Sequence, residues 1–325
     1  MVHVLIIGAA GMVGHKLARH ITQDGSLNGR ALTKLSLVDV VEPPVPANAP
    51  QDTICRACDF SLEGEAEQLV ASRPDVIFHL AAIVSGEAEV ETDKGYRINL
   101  DGTRRLFEAI RALGEGYCPR VVFTSSIAVF GAPFPDPIPD DFLPAPLTSY
   151  GAQKAMSELL LADFSRKGFL DGIGIRLPTI VVRPGKPNKA ASGFFSGIIR
   201  EPLNGQEAVL PVADDVLHWM ASPRAAAGFL IHAAGLDGET VGPRRNMTMP
   251  GLAVTVAEEI ETLRRFGGEK AVKLIRRERD PLVEKIVAGW PRGFDPARAL
   301  ALGFKADESF DAIVQTYIEE EGITL

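Results

Sequence analysis

Cysteine is scarce in this chain: Cys55, Cys58 and Cys118 are all it has in 325 residues. Cys55-x-x-Cys58 has the spacing of a redox pair or of half a zinc site. Completing it needs a second pair, and only Cys118 and scattered histidines remain, so reduced thiols and no bound metal are expected. Net positive charge is missing too: 34 Lys and Arg against 42 Asp and Glu leave −8. That argues against a nucleic-acid surface or an anionic membrane as partner. No apolar run reaches the roughly 20 residues of a membrane span. The opening "MVHVLIIGAAG" is apolar but lacks a basic leader segment and ends in a glycine turn, so it reads as a buried strand. The expected location is cytoplasmic. Internal repeats and low-complexity segments are absent.

What is present is alternation. The runs "VHVLIIG" (2–8), "LSLVDV" (35–40), "VIFHLAA" (76–82) and "RVVFTSS" (120–126) are continuously apolar before ending in small or polar residues. Strands buried on both faces of a parallel sheet have this texture. "DTICRACD" (52–59) and "GIGIRLPTI" (172–180) read as further strands. Helical segments fall between, near 11–23, 63–72, 97–113 and 151–167. The pattern predicts an α/β fold: a doubly wound parallel sheet of Rossmann type over 1–180, with 215–235 returning to it. Residues 181–214 and 236–325 are expected to form a smaller α+β substrate-binding lobe. In it the sequence predicts a helix near 193–200, a short strand "RRNMTM", an amphipathic helix from Thr255 to Phe266, a strand "KLIRR" and two short helices. The later of these starts at Asp295-Pro296.

"GAAGMVG" places Gly8, Gly11 and Gly14 directly after the first strand, with Met12 and Val13 opening a helix. The first glycine permits the tight turn, the second lets backbone approach a pyrophosphate, and the third lets helix and strand pack closely. The second strand ends at Asp39, about 25 residues on. A carboxylate there accepts hydrogen bonds from the ribose hydroxyls and repels a 2′-phosphate. Val40, Val41 and Glu42 follow, with no Arg or Lys, which favours NAD over NADP. Asp59 and Phe60 end the third strand; Asp59 suits the adenine amino group or is a solvated strand end. Leu80, Ala81 and Ala82 end the fourth with side chains that let a cofactor lie close.

The fifth strand delivers Ser125 and Ser126 to the carboxyl edge of the sheet, where such folds bind their ligands. Tyr150 and Lys154 follow on one face of the next helix, four residues apart. A free Tyr, with a pKa near ~10, is a poor base at neutral pH. An ammonium one turn away stabilises the phenolate, so that Tyr150 can take a proton from a substrate hydroxyl.

Gly8-x-x-Gly11-x-x-Gly14, a strand-end Ser and Tyr150-x-x-x-Lys154 together resemble the extended short-chain dehydrogenase/reductase superfamily. The resemblance implies that Ser126 orients the substrate oxygen and that Lys154 also holds the nicotinamide ribose. Ser125 would face the cofactor or the neighbouring sheet. Asn99, in "YRINLDGT", matches an Asn near the superfamily's active site and reads otherwise as a buried, helix-bending residue. Pro178 joins the cofactor-side candidates. Helices near 97–113 and 150–167 match the superfamily's dimer seam, which makes a homodimer the expectation by fold analogy.

Sugar-nucleotide epimerases and dehydratases share these motifs, but after the sixth strand they have a different segment. Here it reads "IRLPTIVVRPGKPNKAASGFFSGIIREP", with Arg183, Lys186 and Lys189 close together. A cationic loop of this kind would hold a small carboxylate; its plain alternative is a solvated loop. This loop, with "FHLAAIVSGEAE", "VLPVADDVLHWMASPR" and "GPRRNMTMPGL", is similar to the D-erythronate dehydrogenase family. That similarity implies NAD-dependent oxidation of a four-carbon sugar acid at C2. The substrate-contact candidates are Ser85, Ser126, Tyr150, Arg183, Lys189, His218 and Trp219. An NAD-sensing regulator without turnover is a further reading, against which the intact Tyr150/Lys154 pair counts.

Overall fold

Val2–Ile7, buried at every position, forms the first strand, β1. The computed structural model describes residues 1–114, 116–185 and 191–325. These fall into two compact units. The first comprises Met1–Val129, Thr148–Leu177 and Ala227–Met247. In it β1 is followed by α1 (Met12–Asp24), β2 (Arg30–Asp39), β3 (Thr53–Ala57), α2 (Glu65–Val70), β4 (Val76–His79) and α3 (Ser85–Val90). Then come α4 (Thr103–Ala112), β5 (Arg120–Ser126), α5 (Ser149–Arg166), β6 (Asp171–Leu177), α6 (Pro223–Gly235, in this unit from Ala227 onward) and β7 (Asn246–Thr248, in this unit up to Met247).

The sheet order is β3-β2-β1-β4-β5-β6-β7. The β1/β2, β1/β4, β2/β3, β4/β5 and β5/β6 pairs are parallel. The winding reverses between β1 and β4, and the crevice beyond the carboxyl ends of those strands is the ligand position of such sheets. Leu5, Ile7, Ile77, Phe107, Val121, Phe123 and Leu161 belong to one buried cluster, which sheet and helices share.

Three details depart from the sequence pattern. The second strand starts at Arg30, not Leu35, because Asn28-Gly29, both at positive φ, turns Ser26–Leu27 back onto Arg30 and Ala31. The fourth strand stops at His79: the amides of Leu80 and Ala81 both donate to the Ile7 carbonyl and leave the ladder. The helix expected over 97–113 opens with a π-helical stretch, Tyr96–Gly102, that contains Asn99.

The second unit comprises Phe130–Leu147, Pro178–Ala226 and Thr248–Leu325. Thr179–Ile180 lies parallel to Leu217–Ala221, which pairs antiparallel with Leu252–Thr255. This pairing explains why 215–226 lies in this unit and does not return to the first. Conversely Asn246–Thr248, expected in the lobe, forms the outer strand of the large sheet. Helix Val256–Val272 begins with a capping box between Thr255 and Glu258 and breaks at Gly268, where φ is 69°. Phe195, Ile198, Met220, Leu263, Ile313 and Val314 are part of its core. The last two lie on a helix, Phe310–Glu321, where the sequence reading stopped one helix short. Among the described residues no helix is long and apolar enough to cross a membrane.

Candidate active site

The glycine loop fits its expected task closely. Gly8 has φ +96°, and a Cβ there would lie 2.6 Å from the Ala81 nitrogen and 2.9 Å from the Leu80 carbonyl carbon. A Cβ on Gly14 would run into the Gly8 carbonyl oxygen. Gly11 is exposed and caps α1 without any side-chain bond, and the first turn, with Met12 and Val13 half-buried, holds no acid. The helix amino terminus is therefore left for an outside anion such as a pyrophosphate. Asp39 is half-buried at the end of β2; its carboxylate accepts from the Ala10 amide at 2.9 Å and the Val40 amide at 2.7 Å. Strand end and glycine loop are thus held by one side chain.

Asp59 is engaged inward. Its carboxylate accepts from the Ser61 amide at 3.1 Å, the Ser61 hydroxyl at 2.5 Å and Arg97 at 2.9 Å. Burial opposes its ionisation, but the bonds from Ser61 and Arg97 prevail and hold its pKa below the usual value. Phe60 is buried edge-on to His79, with ring centroids 5.1 Å apart. His79 itself is core: burial drives it to about 3, and its Nε2 pairs with the Thr103 hydroxyl at 2.8 Å. Leu80, Ala81 and Ala82 stay half-buried at the loop that follows β4.

Asn99 is 1% exposed and acts on that same loop. Its Oδ1 accepts from the Ile83 amide at 2.9 Å, and its Nδ2 donates to the Ile83 carbonyl at 3.1 Å and to Gln153 Oε1 at 2.8 Å. Gln153, unremarked in the sequence, links the loop to α5. Ser85 begins α3, half-buried.

On α5, Thr148 caps the helix by accepting from the Gly151 amide, and Tyr150 sits in the first turn, half-buried. Ser126 is the side chain that acts on its hydroxyl. The packing around that hydroxyl pushes the phenol up to about 12, with Ser126 pulling the other way. Lys154, one turn on, is 2% exposed; it donates to the Thr124 carbonyl at 2.7 Å and stands 5.8 Å from the Tyr150 ring centroid. Burial drives its ammonium down to about 7, opposed by the Glu158 carboxylate. Ser126, Tyr150 and Lys154 are thus brought together. Ser125 points the other way, donating to Glu158 at 2.6 Å from a site 2% exposed, which leaves Ser126 as the serine beside the tyrosine.

The second unit holds the remaining candidates. Arg183 is half-buried and donates to the Ser192 hydroxyl at 3.1 Å; burial first, then neighbouring Arg200, lowers its pKa. Lys186 and Lys189 lie outside the described residues. His218 is buried, stacked on Phe195 with centroids 5.2 Å apart, and both ring nitrogens are engaged, by Thr179 at 2.6 Å and the Pro291 carbonyl at 3.2 Å. Burial holds it neutral, down to about 4. Trp219, the next residue along the strand, donates to the Met249 carbonyl at 3.3 Å. Pro178 is buried.

Comparison with known proteins places this geometry in company. The model of the NAD dependent epimerase/dehydratase family matches residues 4–220. The chain is 48% identical over 325 residues to the D-erythronate dehydrogenase of Cupriavidus necator, covering 99% of each chain. It is 41% identical over 316 residues to the D-erythronate dehydrogenase of Haemophilus influenzae, covering 97% of this chain and 98% of the relative. A crystal structure described as the nucleoside-diphosphate-sugar epimerase from Agrobacterium tumefaciens matches with TM-score 0.97 and 63% identity, covering 99% of this chain and 95% of that one.

Proposed function

Because the chain belongs to the NAD dependent epimerase/dehydratase family and is an NAD-dependent oxidoreductase, we propose that it oxidises a small sugar acid at C2, D-erythronate first among them, to the 2-oxo acid. The observation that carries the substrate is the similarity of nearly the whole chain to two D-erythronate dehydrogenases. Bound NAD supplies the hydride acceptor. The residues that would hold it are the Gly8–Gly14 loop with Met12 and Val13, Asp39 at the ribose, and Leu80 to Ala82 beside the loop.

The protein's own part is proton handling and orientation. Ser126 holds the substrate C2 hydroxyl against Tyr150, whose phenolate takes the proton as the C–H electron pair leaves. A phenol at about 12 is a weak donor of its proton at neutral pH, so the nearby Lys154 charge is required to favour the phenolate. The substrate carboxylate needs a cation, and Arg183 with Lys189 are the candidates. Each turnover converts one hydroxy acid and NAD to one 2-oxo acid, reduced NAD and a proton.

A second reading is sugar-nucleotide epimerisation, favoured by the 63% identical protein described as an epimerase. A panel of aldonic acids and nucleoside-diphosphate sugars separates the two. Accumulation of reduced NAD with four-carbon acids supports the dehydrogenase. Interconversion of sugar nucleotides without net reduction, and no turnover of any acid, overturns it.

A further inference from the structure

Tyr150, Lys154 and Glu158 are spaced four apart and share one face of α5. Lys154 and Glu158 reach the last residues of β5 directly, Lys154 donating to the Thr124 carbonyl and Glu158 accepting from Ser125, and Ser126 acts on the Tyr150 hydroxyl. The third rung is enclosed as well. Glu158 and Arg176 form an ion pair with side chains 4% and 7% exposed, Arg176 Nε donating at 2.9 Å and Nη2 at 2.8 Å. Arg176 stands opposite Ser125 in the β5/β6 ladder. The Glu158 backbone carbonyl accepts from Asn246 Nδ2 on β7 at 3.1 Å. One carboxylate therefore ties α5 to the ends of two adjacent strands. A buried pair is a weak source of net stability, which leaves placement as its principal use here.

We propose that Glu158, held by Arg176, is a positioning residue for the reaction: through Ser125 it sets the end of β5 so that Ser126 meets Tyr150. One turn from Lys154 on the same helix face, its carboxylate also opposes the loss of that ammonium's proton. The inference rests on the proposed acid–base role of Tyr150 and Lys154.

Two variants test it, with Tyr150→Phe as a parallel control. Ser125→Ala removes only the hydroxyl that transmits the placement. It is expected to lower kcat roughly five- to fiftyfold, short of the ~10²-fold cost of a full ångström of misplacement, while Kd for NAD and the melting temperature stay near wild type. The double variant Glu158→Gln/Arg176→Gln removes both charges without leaving one unpaired. There the alkaline limb of kcat against pH should move to lower pH, because Lys154 gives up its proton more readily; a purely structural role would not move it. Wild-type kcat in Ser125→Ala, or a kcat loss matched by an equal loss of NAD affinity and melting temperature, overturns the placement. An unmoved limb in the folded double variant overturns the charge role. Should the double variant fail to fold, Ser125→Ala alone decides. If Tyr150→Phe remains active, the acid–base reading itself fails, and that result is distinct from either of these.

Discussion

Tyr150→Phe removes the one hydroxyl assigned to proton transfer and nothing that holds the dinucleotide. Turnover is expected to disappear while NAD affinity stays within a few-fold, checked by steady-state rates and binding titration side by side. The same group fixes the pH dependence of wild type. Its phenol lies well above neutrality, so the reactive phenolate increases with pH, while Lys154, at about 7, gives up the charge that favours it; kcat/KM for oxidation should therefore rise with pH on the acid side of 7 and level off or fall beyond it; a profile without the acid-side rise removes Tyr150 as the base. At Arg183, substitution by Ala should raise KM for a four-carbon acid about ten- to a hundredfold, the equivalent of ~1.5–3 kcal/mol for a charge-assisted contact. The corresponding tetritol, lacking the carboxylate, should be nearly unaffected, and equal losses for both would return the loop to a structural role. These residues were legible in the sequence because their chemistry depends on short spacings. Glu158, four residues past Lys154, went unread in the sequence, because its meaning needs Arg176 and Ser125, which only the sheet brings near.

Elements were legible where periodicity alone decides them. Buried parallel strands show as apolar runs, and the order glycine loop, acid, serine, tyrosine follows from the winding of the sheet. What escaped was local backbone chemistry. The Asn28-Gly29 hairpin extended β2, and the π-helical stretch around Asn99 keeps a helical composition while changing which way a side chain points. Asn99, read as a possible cofactor neighbour, spends its amide on the Ile83 backbone and Gln153. At this scale Gly14→Ala is the sharp test: its methyl would meet the Gly8 carbonyl, backbone against backbone, with no flexible side chain to give way. NAD affinity should fall by at least tenfold, read by titration. Retention of wild-type affinity would mean that the α1–β1 packing tolerates what its geometry forbids.

For the whole molecule, buried titratable groups set opposing trends in stability. His79 and His218 are held neutral, at about 3 and about 4, below the value of 6.5 for a free side chain. The stability they contribute is full above pH 6.5 and is lost as pH falls from there toward those values, by about 1.4 kcal/mol per pH unit for each. Glu259 behaves oppositely. It is fully buried, neither carboxylate oxygen has a hydrogen-bond partner among the described residues, and burial raises its pKa well above 4.5. Its contribution is full below pH 4.5 and declines as pH rises. Melting temperature against pH should therefore show an acid edge beginning near pH 6.5, and Glu259→Gln should flatten the decline on the alkaline side. A variant with the wild-type slope there would show that Glu259 ionises freely in the folded protein. The division into units was the least legible feature at this scale. The affinity of Leu217–Ala221 for Thr179–Ile180 is a pairing between distant segments, and composition carries no trace of it.

The Asp39 carboxylate, bonded to the Ala10 amide, gives coenzyme preference a mechanical cost. An engineer seeking to convert the protein to NADP would replace the acid to admit a 2′-phosphate, and in doing so would also release the loop proposed to cradle the pyrophosphate. Asp39→Ala should accordingly narrow the gap between the two coenzymes chiefly by weakening NAD, with NADP gaining little, as paired Kd values would show; a wild type that prefers NADP would refute the role of Asp39 altogether. Conversion then calls for two changes made together: a cation to greet the phosphate, and a new acceptor for the Ala10 N–H. A lineage drifting from one coenzyme to the other one substitution at a time would have to pass through an intermediate that grips neither well.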